Sequence, residues 1–356
     1  MKSLRLYKPA KALPILELLL TGWLPSPLKR ALYRLRGYTV HASAKLGFGC
    51  VIRGEHVVIG PEVSIGMLAT IMGKKIELGP RVRIGRLSYL NTAVISIGEN
   101  TRIGSQVVVG GMQSVDSEFR MGSNGILMEW SFVNTTKPVI IGNDVGIGGH
   151  CLLFTHGLWP NTFDGFPSQF AGITIEDEVW IAWRVSILPG VTIGARSIIS
   201  TDACVVKDIP ALCLAAGTPA KILREHGSYI RPSDNTARLE QLIQEYAQWC
   251  CYQGAIIEEQ SSSHLRLKSA TQQGCVHLHV RMQEPNISDI TTDGTDVHIL
   301  ISLQPINAAD RQLLTQRHIH WMDIASRHRS QQPSPALDDI EEFMRRAGLR
   351  LLKYHS

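Results

Sequence analysis

The sequence predicts a mainly β protein whose core is a parallel β-helix, and three observations carry this prediction. Between about residues 59 and 205 an aliphatic residue returns at every sixth position, a period that neither an α-helix nor an ordinary amphipathic strand produces. Gly often follows this residue, as a chain requires where a Cβ would clash at a corner. Aromatic residues make up only 6% of the chain, which suits narrow coils filled by Ile, Val and Leu. The pattern indicates short strands and turns stacked into successive coils.

The repeat is clearest in the second half of this region. It comprises Ile175, Ile181, Ile187, Ile193, Ile199 and Val205. Two longer intervals miss the six-residue beat, one between Val109 and Ile141 and one between Leu153 and Ile175. We expect both to be loops that leave the solenoid, where the functional groups of rigid scaffolds concentrate.

The chain divides into four segments by pattern and composition. Residues 1–45 are expected to form an N-terminal helical cap, and residues 46–224 the solenoid. Residues 225–263 predict a connector helix followed by a polar linker. Residues 264–356 alternate like half-buried strands before a final helix, so they predict a small α+β accessory domain whose role the sequence does not indicate.

Composition describes an ordinary soluble protein. The chain has 356 residues, 19% of them charged, and a formal net charge of +5, which suits an anionic cofactor but is far from a nucleic-acid-binding signature. Its 7 cysteines show no CxxC pattern. We therefore expect neither a disulfide framework nor a zinc site. We expect the protein to reside in a reducing compartment.

An apolar run, Ala12–Leu24, follows several basic residues near the N-terminus. Pro14 and Glu17 interrupt it, and it is too short to span a bilayer. We expect it to cover the first coil, as a solenoid requires for solubility. The alternative is an in-plane membrane anchor, because Leu18–Leu20 and Trp23 beside several lysines suit an interface. The protein is expected in the cytoplasm, or at the inner face of the membrane if the anchor exists.

A histidine stands at the start of the second long interval. The chain there reads Phe154-Thr155-His156-Gly157, so a rigid coil would hold His156 while leaving it open to solvent. Histidine titrates near neutral pH and can take a proton from a hydroxyl or amine. Position alone favours a surface histidine without a role, since the chain has 13 histidines.

Three parts of the sequence carry a family resemblance. They are Leu152–His156, the late-coil segments Val179–Ile181 and Ile187–Gly194, and the closing segment Ala216–Arg224. They closely resemble the hexapeptide-repeat acyltransferases that fold as left-handed β-helices, especially the O-acetyltransferases of sugars and cell-surface polysaccharides. The solenoid that they identify covers about half of the chain. The C-terminal residues lie outside the resemblance.

The resemblance implies a left-handed β-helix that assembles as a homotrimer with active sites between subunits. It implies acetyl-CoA as the acyl donor, and no metal is expected. His156 would be the general base that deprotonates an acceptor hydroxyl, which attacks the thioester directly. Cys151 and Cys204 are therefore interpreted as small filler in the coils.

The resemblance also implies residues that bind the cofactor. The candidates along the CoA path are Ala182, Trp183, Ser200 and Thr201, and the candidates for its phosphates are Lys221 and Arg224. Solvated charge at the chain exit is the alternative reading of the two basic residues. Trp183 departs from the family, which has small residues here. Its indole could reshape the pocket, stack on sugar or adenine, obstruct CoA, or pack near the trimer interface.

The loop 157–170 offers candidates for acceptor binding. Trp159 could stack on a sugar, and Asp164 could accept sugar hydroxyls or orient His156. The loop aromatics could equally pack beneath the loop. The segment 112–136 is expected to form the acceptor side of the cleft, although no single residue of it can be selected.

The leading function is an acetyl-CoA-dependent O-acetyltransferase acting on a sugar hydroxyl of a cell-surface polysaccharide or its precursor. A non-catalytic trimeric scaffold and an N-acyltransferase of an amino sugar are alternatives. A zinc enzyme of the γ-carbonic-anhydrase type needs three converging histidines. His150 and His156 are available, but the solenoid offers no obvious third histidine, because His41 and His56 lie at or before the first coils. This reading is therefore given little weight.

Overall fold

The structure, a computed structural model, describes residues 15–157, 161–230, 234–268, 274–283, 287, 290, 292 and 296–354. The chain divides into two compact units, the N-terminal unit Met1–Ile230 and the C-terminal unit Arg231–Ser356. Within the described ranges no helix has the length and apolar character needed to cross a membrane.

The N-terminal unit is a parallel β-helix with three faces. The first face contains Thr39–Val40, His56–Ile59, Lys75–Leu78, Val94–Ile97, Glu118–Met121, Val139–Ile141, Ile173–Ile175 and Thr192–Ile193. The second contains Lys45–Leu46, Ser64–Ile65, Arg83–Ile84, Arg102–Ile103, Ile126–Leu127, Gly146–Ile147, Trp180–Ile181, Ile198–Ile199, Leu214–Ala216 and Lys221–Arg224. The third contains Val51–Arg53, Thr70–Met72, Tyr89–Asn91, Val108–Gly110, Phe132–Asn134, Leu152–Leu153, Ser186–Ile187 and Cys204–Val205. The predicted fold class, a left-handed parallel β-helix with a helical cap and a small α+β unit, is confirmed.

The repeated aliphatic residues form the core of the coils. On the second face Ile147 pairs with Ile181, which pairs with Ile199, and each is at most 1% exposed. Burying such a side chain contributes about 1.5–3 kcal/mol relative to leaving it in water. The stack therefore explains both the six-residue beat and the register of the sheets.

Glycines follow these residues because the next coil lies too close for a side chain. A Cβ on Gly66 would come 2.5 Å from the main-chain nitrogen of Arg86, and one on Gly148 would come 2.7 Å from the carbonyl carbon of Ala182. The left-handed backbone at the corners falls instead on residues such as His150, with φ of 57°. The glycines thus serve close approach, and the strained corner conformation belongs to other residues.

The expectation that residues 112–136 leave the solenoid is wrong. Only the chain between the strands Val108–Gly110 and Glu118–Met121 departs from the coils. Met121, Leu127 and Val133 then fill inward positions and are at most 2% exposed. These three residues keep the six-residue spacing, but two of them lack the following Gly that marks the other coils.

The N-terminal cap satisfies the open end of the first coil. It consists of α1 (Ile15–Thr21) and α2 (Ser26–Leu35). Lys29, Arg30 and Arg34 of α2 donate hydrogen bonds to the main-chain oxygens of Gly47, Ala44 and Val40, respectively. These oxygens would otherwise lack a strand partner, and buried polar groups require one. The solenoid begins at Thr39 rather than at the predicted residue 46, because Thr39–Val40 already pairs with the next coil.

The C-terminal unit is a seven-stranded sheet with helices. Its strands, in sheet order, are Ile256–Gln260, His264–Lys268, Cys275–Arg281, Val297–Ser302, His320–Asp323, His328–Arg329 and Leu352–Lys353. Its helices are α3 (Asn235–Tyr252), α4 (Ala308–Gln316) and α5 (Pro335–Met344). In the part of the chain that the structure describes, the short 3-10 helices are Thr162–Asp164 and Arg345–Ala347.

The predicted connector, residues 225–263, belongs to the C-terminal unit from α3 onwards. Leu239 and Tyr246 of α3 are buried in the same apolar cluster as Leu278 of the sheet. The polar stretch that was expected to be a linker is the turn between two paired antiparallel strands. The apolar face of the helix therefore packs within this unit.

Candidate active site

His156 lies where the chain leaves the third face. The short strand His156–Gly157 pairs antiparallel with Gln169–Phe170, which brings the chain back towards the first face. The imidazole stacks on Phe170 with 5.0 Å between ring centroids and an interplanar angle of 8°. The half-buried ring is thus held by its own loop and by the rigid coil before it.

Asn134 fixes the protonation state that the neutral ring of His156 adopts. Its Oδ1 accepts a hydrogen bond from the backbone N–H of Thr136 at 3.0 Å and lies 3.2 Å from His156 Nδ1. A backbone N–H can only donate, so the Asn134 atom at this point is the amide oxygen. In the neutral ring, His156 Nδ1 must then carry the proton and donate a hydrogen bond to the same oxygen. The other ring nitrogen, Nε2, keeps a lone pair that can accept a proton.

Asn134 is a candidate functional residue that the sequence did not indicate. It is 7% exposed and ends the third-face strand Phe132–Asn134. The hydroxyl of Thr155 lies 2.9 Å from its Oδ1 and is itself completely buried. The register of the coils was the missing signal, because Asn134 follows the inward residue Val133 on the face that leads to His156 in the next coil.

Four predicted cofactor residues lie together at the corner between the second and third faces. The Ala182 N–H donates to the Ile199 carbonyl, and the Ser200 N–H donates to the Ala215 carbonyl one coil later. Ala182 and Ser200 are therefore equivalent corner positions, and Trp183 and Thr201 are the equivalent residues that follow them. Ala182 is 8% exposed, whereas Thr201 is exposed.

The two predicted basic residues, Lys221 and Arg224, lie on the last strand of the second face. Lys221–Arg224 runs antiparallel to Leu214–Ala216, with Lys221 opposite Ala216. Both basic side chains are exposed. Ala182, Ser200 and Ala216 occupy equivalent positions in successive coils, and we call this stack the corner column. Lys221 extends it by one step, while His156 lies at the corner between the third and first faces.

Trp183 packs against its own corner. A Cβ on Gly149 would come 2.6 Å from the indole, so the absent side chain makes room for the ring. The indole is 6.1 Å from the ring of His150, which stacks at 6.1 Å on Trp130 of the preceding coil. Trp183 remains 43% exposed, which leaves part of the ring available for a ligand or another chain.

The acceptor loop is described only in part. Trp159 lies outside the described residues. Asp164 ends an exposed 3-10 helix, and no hydrogen bond in the described part of the chain joins its side chain to His156. Phe163 is 98% exposed, so it does not pack beneath the loop.

Cys151 fills a coil, as the sequence suggests. Its side chain is completely buried, and its Sγ lies 3.2 Å from the Ala182 carbonyl oxygen. Burial raises the pKa of the Cys151 thiol, which disfavours the nucleophilic thiolate. In the described ranges, His150 and His156 belong to no group of three side chains with metal-ligating spacing.

Curated relatives support the resemblance to acetyltransferases. The chain is 51% identical over 53 residues to the galactoside O-acetyltransferase of Escherichia coli, covering 15% of this chain and 26% of that protein. It is 34% identical over 102 residues to the galactoside O-acetyltransferase of Lactococcus lactis, covering 26% of this chain and 49% of that protein. The chain thus spans less than half the length of these relatives. The predicted resemblance is confirmed.

Two solved acetyltransferase structures are similar to part of this chain. A hexapeptide-repeat acetyltransferase from Vibrio cholerae, complexed with acetyl coenzyme A, is 29% identical with a TM-score of 0.25, over 40% of this chain and 69% of that one. A polysialic acid O-acetyltransferase is 17% identical with a TM-score of 0.34, over 55% of this chain and 88% of that one. No protein-family model matches this chain.

Proposed function

We propose that this chain is an acetyl-CoA-dependent O-acetyltransferase whose acceptor is a sugar hydroxyl of a cell-surface polysaccharide or its precursor. The observation that carries the proposal is the contact between His156 and Asn134, which leaves Nε2 of a half-buried histidine free to accept a proton. The galactoside O-acetyltransferases among the relatives support a sugar hydroxyl as the acceptor class.

The proposed reaction is a direct transfer with His156 as general base. Nε2 takes the proton of the acceptor hydroxyl while the hydroxyl oxygen attacks the thioester carbonyl. The tetrahedral intermediate collapses, its C–S bond breaks, and the protonated imidazole returns the proton to the leaving sulfur. The products are the acetyl ester and CoA thiol, so no covalent acyl-enzyme is needed. The buried thiol of Cys151 agrees with this.

The proposed donor site follows the corner column. Thr201 is exposed and Ser200 is half-buried beside it, and their side-chain hydroxyls are hydrogen-bonding groups that could meet the extended pantetheine arm. Lys221 and Arg224 are exposed cations at the end of the column, where they can meet CoA phosphates. The exposed part of the Trp183 indole can stack on the adenine or pack against a neighbouring chain.

The active site is proposed to form between copies of the chain in a homotrimer. The corner column and His156 lie at the two opposite edges of the third face. The outward positions of that face in four successive coils are Tyr89, Val108, Phe132 and Leu152. The first face instead carries ion pairs such as Lys75 with Glu77. An apolar face between two half-sites favours self-association there.

Donor binding tests the proposal directly. Calorimetric titration of acetyl-CoA into the full chain should give one site per subunit, and Lys221→Ala should weaken it about tenfold, which corresponds to the loss of about 1.4 kcal/mol. Lys45→Ala is the matched control, since Lys45 is an exposed lysine on the same face in the first coil. The absence of saturable binding, or equal affinity of both variants, would contradict the donor site. Release of CoA thiol with galactosides and polysaccharides then tests the acceptor class.

A charge on the third face should dissociate the trimer. Val108 is 36% exposed at an outward position, and Val108→Glu would require a carboxylate to be buried in the proposed interface. Light scattering coupled to gel filtration should give the mass of three wild-type chains and a lower mass for the variant. Val58→Glu, at a 45% exposed outward position on the first face, should remain trimeric. A monomeric wild type would rule out the shared site.

A further inference from the structure

Four histidines converge on one side of the sheet in the C-terminal unit. They are His264, His277, His279 and His298, on three adjacent strands. The antiparallel pairing places His264 opposite His279, and the parallel pairing places His277 beside His298. Residues that are paired across strands lie on the same face, and His277 and His279 share a face because strand side chains alternate. The four rings therefore form one patch.

The ring nitrogens lie at distances suited to a shared metal ion. His264 Nε2 is 3.1 Å from His277 Nδ1, and His279 Nε2 is 3.1 Å from His298 Nδ1. One nitrogen from each of His264, His277 and His279 lies within 4.8 Å of the other two. Tetrahedral zinc, with Zn–N bonds of about 2.0–2.1 Å, separates its ligand nitrogens by about 3.4 Å. Small ring rotations would close the three nitrogens onto one ion.

A carboxylate orients His277 towards the patch. Asp296 Oδ2 lies 2.9 Å from His277 Nε2, so this nitrogen carries the proton and Nδ1 turns its lone pair towards His264. The backbone N–H of Cys275 holds the other Asp296 oxygen at 2.8 Å. Glu259 Oε2 lies 3.4 Å from His264 Nδ1. Metal-ligating histidines typically donate their second ring N–H to a carboxylate in this way.

Three of the four rings are buried. His277 and His279 are each 9% exposed, and His298 is 4% exposed. A cation bound between the rings would be coordinated by the ring nitrogens that face one another. His264 is only half-buried and marks the side from which an ion can enter.

We propose that His264, His277 and His279 bind a divalent transition metal ion, with Zn²⁺ as the preferred ion. Three imidazoles are a ligand set that suits zinc, and His298 or water can complete the coordination. The proposal does not rest on the proposed acyl transfer. The proposed metal site differs from the expectation that the protein binds no metal. That expectation was based on cysteine spacing and on the histidines of the solenoid. The sequence signal is the alternating His277-x-His279 in a strand.

Zinc titration of the full chain, after treatment with a chelator, tests the site. We expect one Zn²⁺ per chain by calorimetry, loss of saturable binding in His264→Ala, and about 10- to 100-fold weaker binding in Asp296→Asn, which removes the charge that orients His277. His318→Asn is the matched control, because His318 is exposed in the same unit and Asn tolerates its φ of 56°. It should bind like the wild type.

Cobalt substitution keeps the proposal testable if a variant fails to fold. The wild-type chain with one equivalent of Co²⁺ should show the intense visible absorption of a tetrahedral site, and Zn²⁺ should displace it. Zn²⁺ should also raise the unfolding temperature of the wild type. A wild type without saturable Zn²⁺ binding, or a folded His264→Ala that binds Zn²⁺ with unchanged affinity, would overturn the proposal.

Discussion

Acetyl transfer should fall by about 10²- to 10⁴-fold when His156 is replaced by Ala, because that is the usual contribution of a general base. The half-buried ring contacts Phe170 and Asn134 but takes no part in the inward stacks of the coils. The variant should therefore keep the β-helix. Steady-state release of CoA thiol gives kcat, and circular dichroism reports the fold.

His56→Ala is the matched control for this variant. His56 is exposed at the start of a first-face strand, so its loss should leave kcat unchanged. Near-normal transfer by a folded His156→Ala protein would remove the proposed mechanism. An unchanged affinity for acetyl-CoA together with a lost kcat would support it, since a base acts on the acceptor rather than on donor binding.

Asn134→Ala should reduce kcat by about 10²-fold, which corresponds to a barrier higher by about 2.7 kcal/mol. The change removes the oxygen that accepts the hydrogen bond from His156 Nδ1 and so sets the tautomer and orientation of the ring. The same change leaves the Thr136 N–H without a partner, which costs about 1–3 kcal/mol of stability. Asn134→Asp separates the two effects. Its carboxylate keeps the acceptor but favours the protonated imidazole, so the acid limb of the pH–rate profile should move to higher pH.

Asn91→Ala provides the control for the third-face asparagines. Asn91 occupies the equivalent strand position two coils earlier. Its side-chain amide forms hydrogen bonds with Tyr89 and Gln113 rather than with a histidine. Its replacement should affect stability without moving the pH profile. A pH profile of Asn134→Asp that matches the wild type would show that Asn134 does not act through His156.

Most of the solenoid could be predicted from sequence, because its contacts repeat at a fixed spacing. Ile147, Ile181 and Ile199 stack on one another, so each coil requires the same kind of residue at the same phase. The coil through Leu127 escaped prediction because two of its inward residues lack the following Gly. The α3 helix was recognised, but its place in the C-terminal unit was not, since an apolar stripe does not reveal its partner.

The sequence alone predicted the coils of the β-helix, since they depend on local spacing, while the family resemblance of contiguous motifs selected His156 and the corner residues as candidates. Only the tertiary structure joined Asn134 to His156 across 22 residues, because that contact depends on the register of neighbouring coils. The same holds for His264 and His279, which meet through strand pairing. Hydrogen bonds between distant residues leave no period in a sequence, because the fold alone brings their atoms within reach.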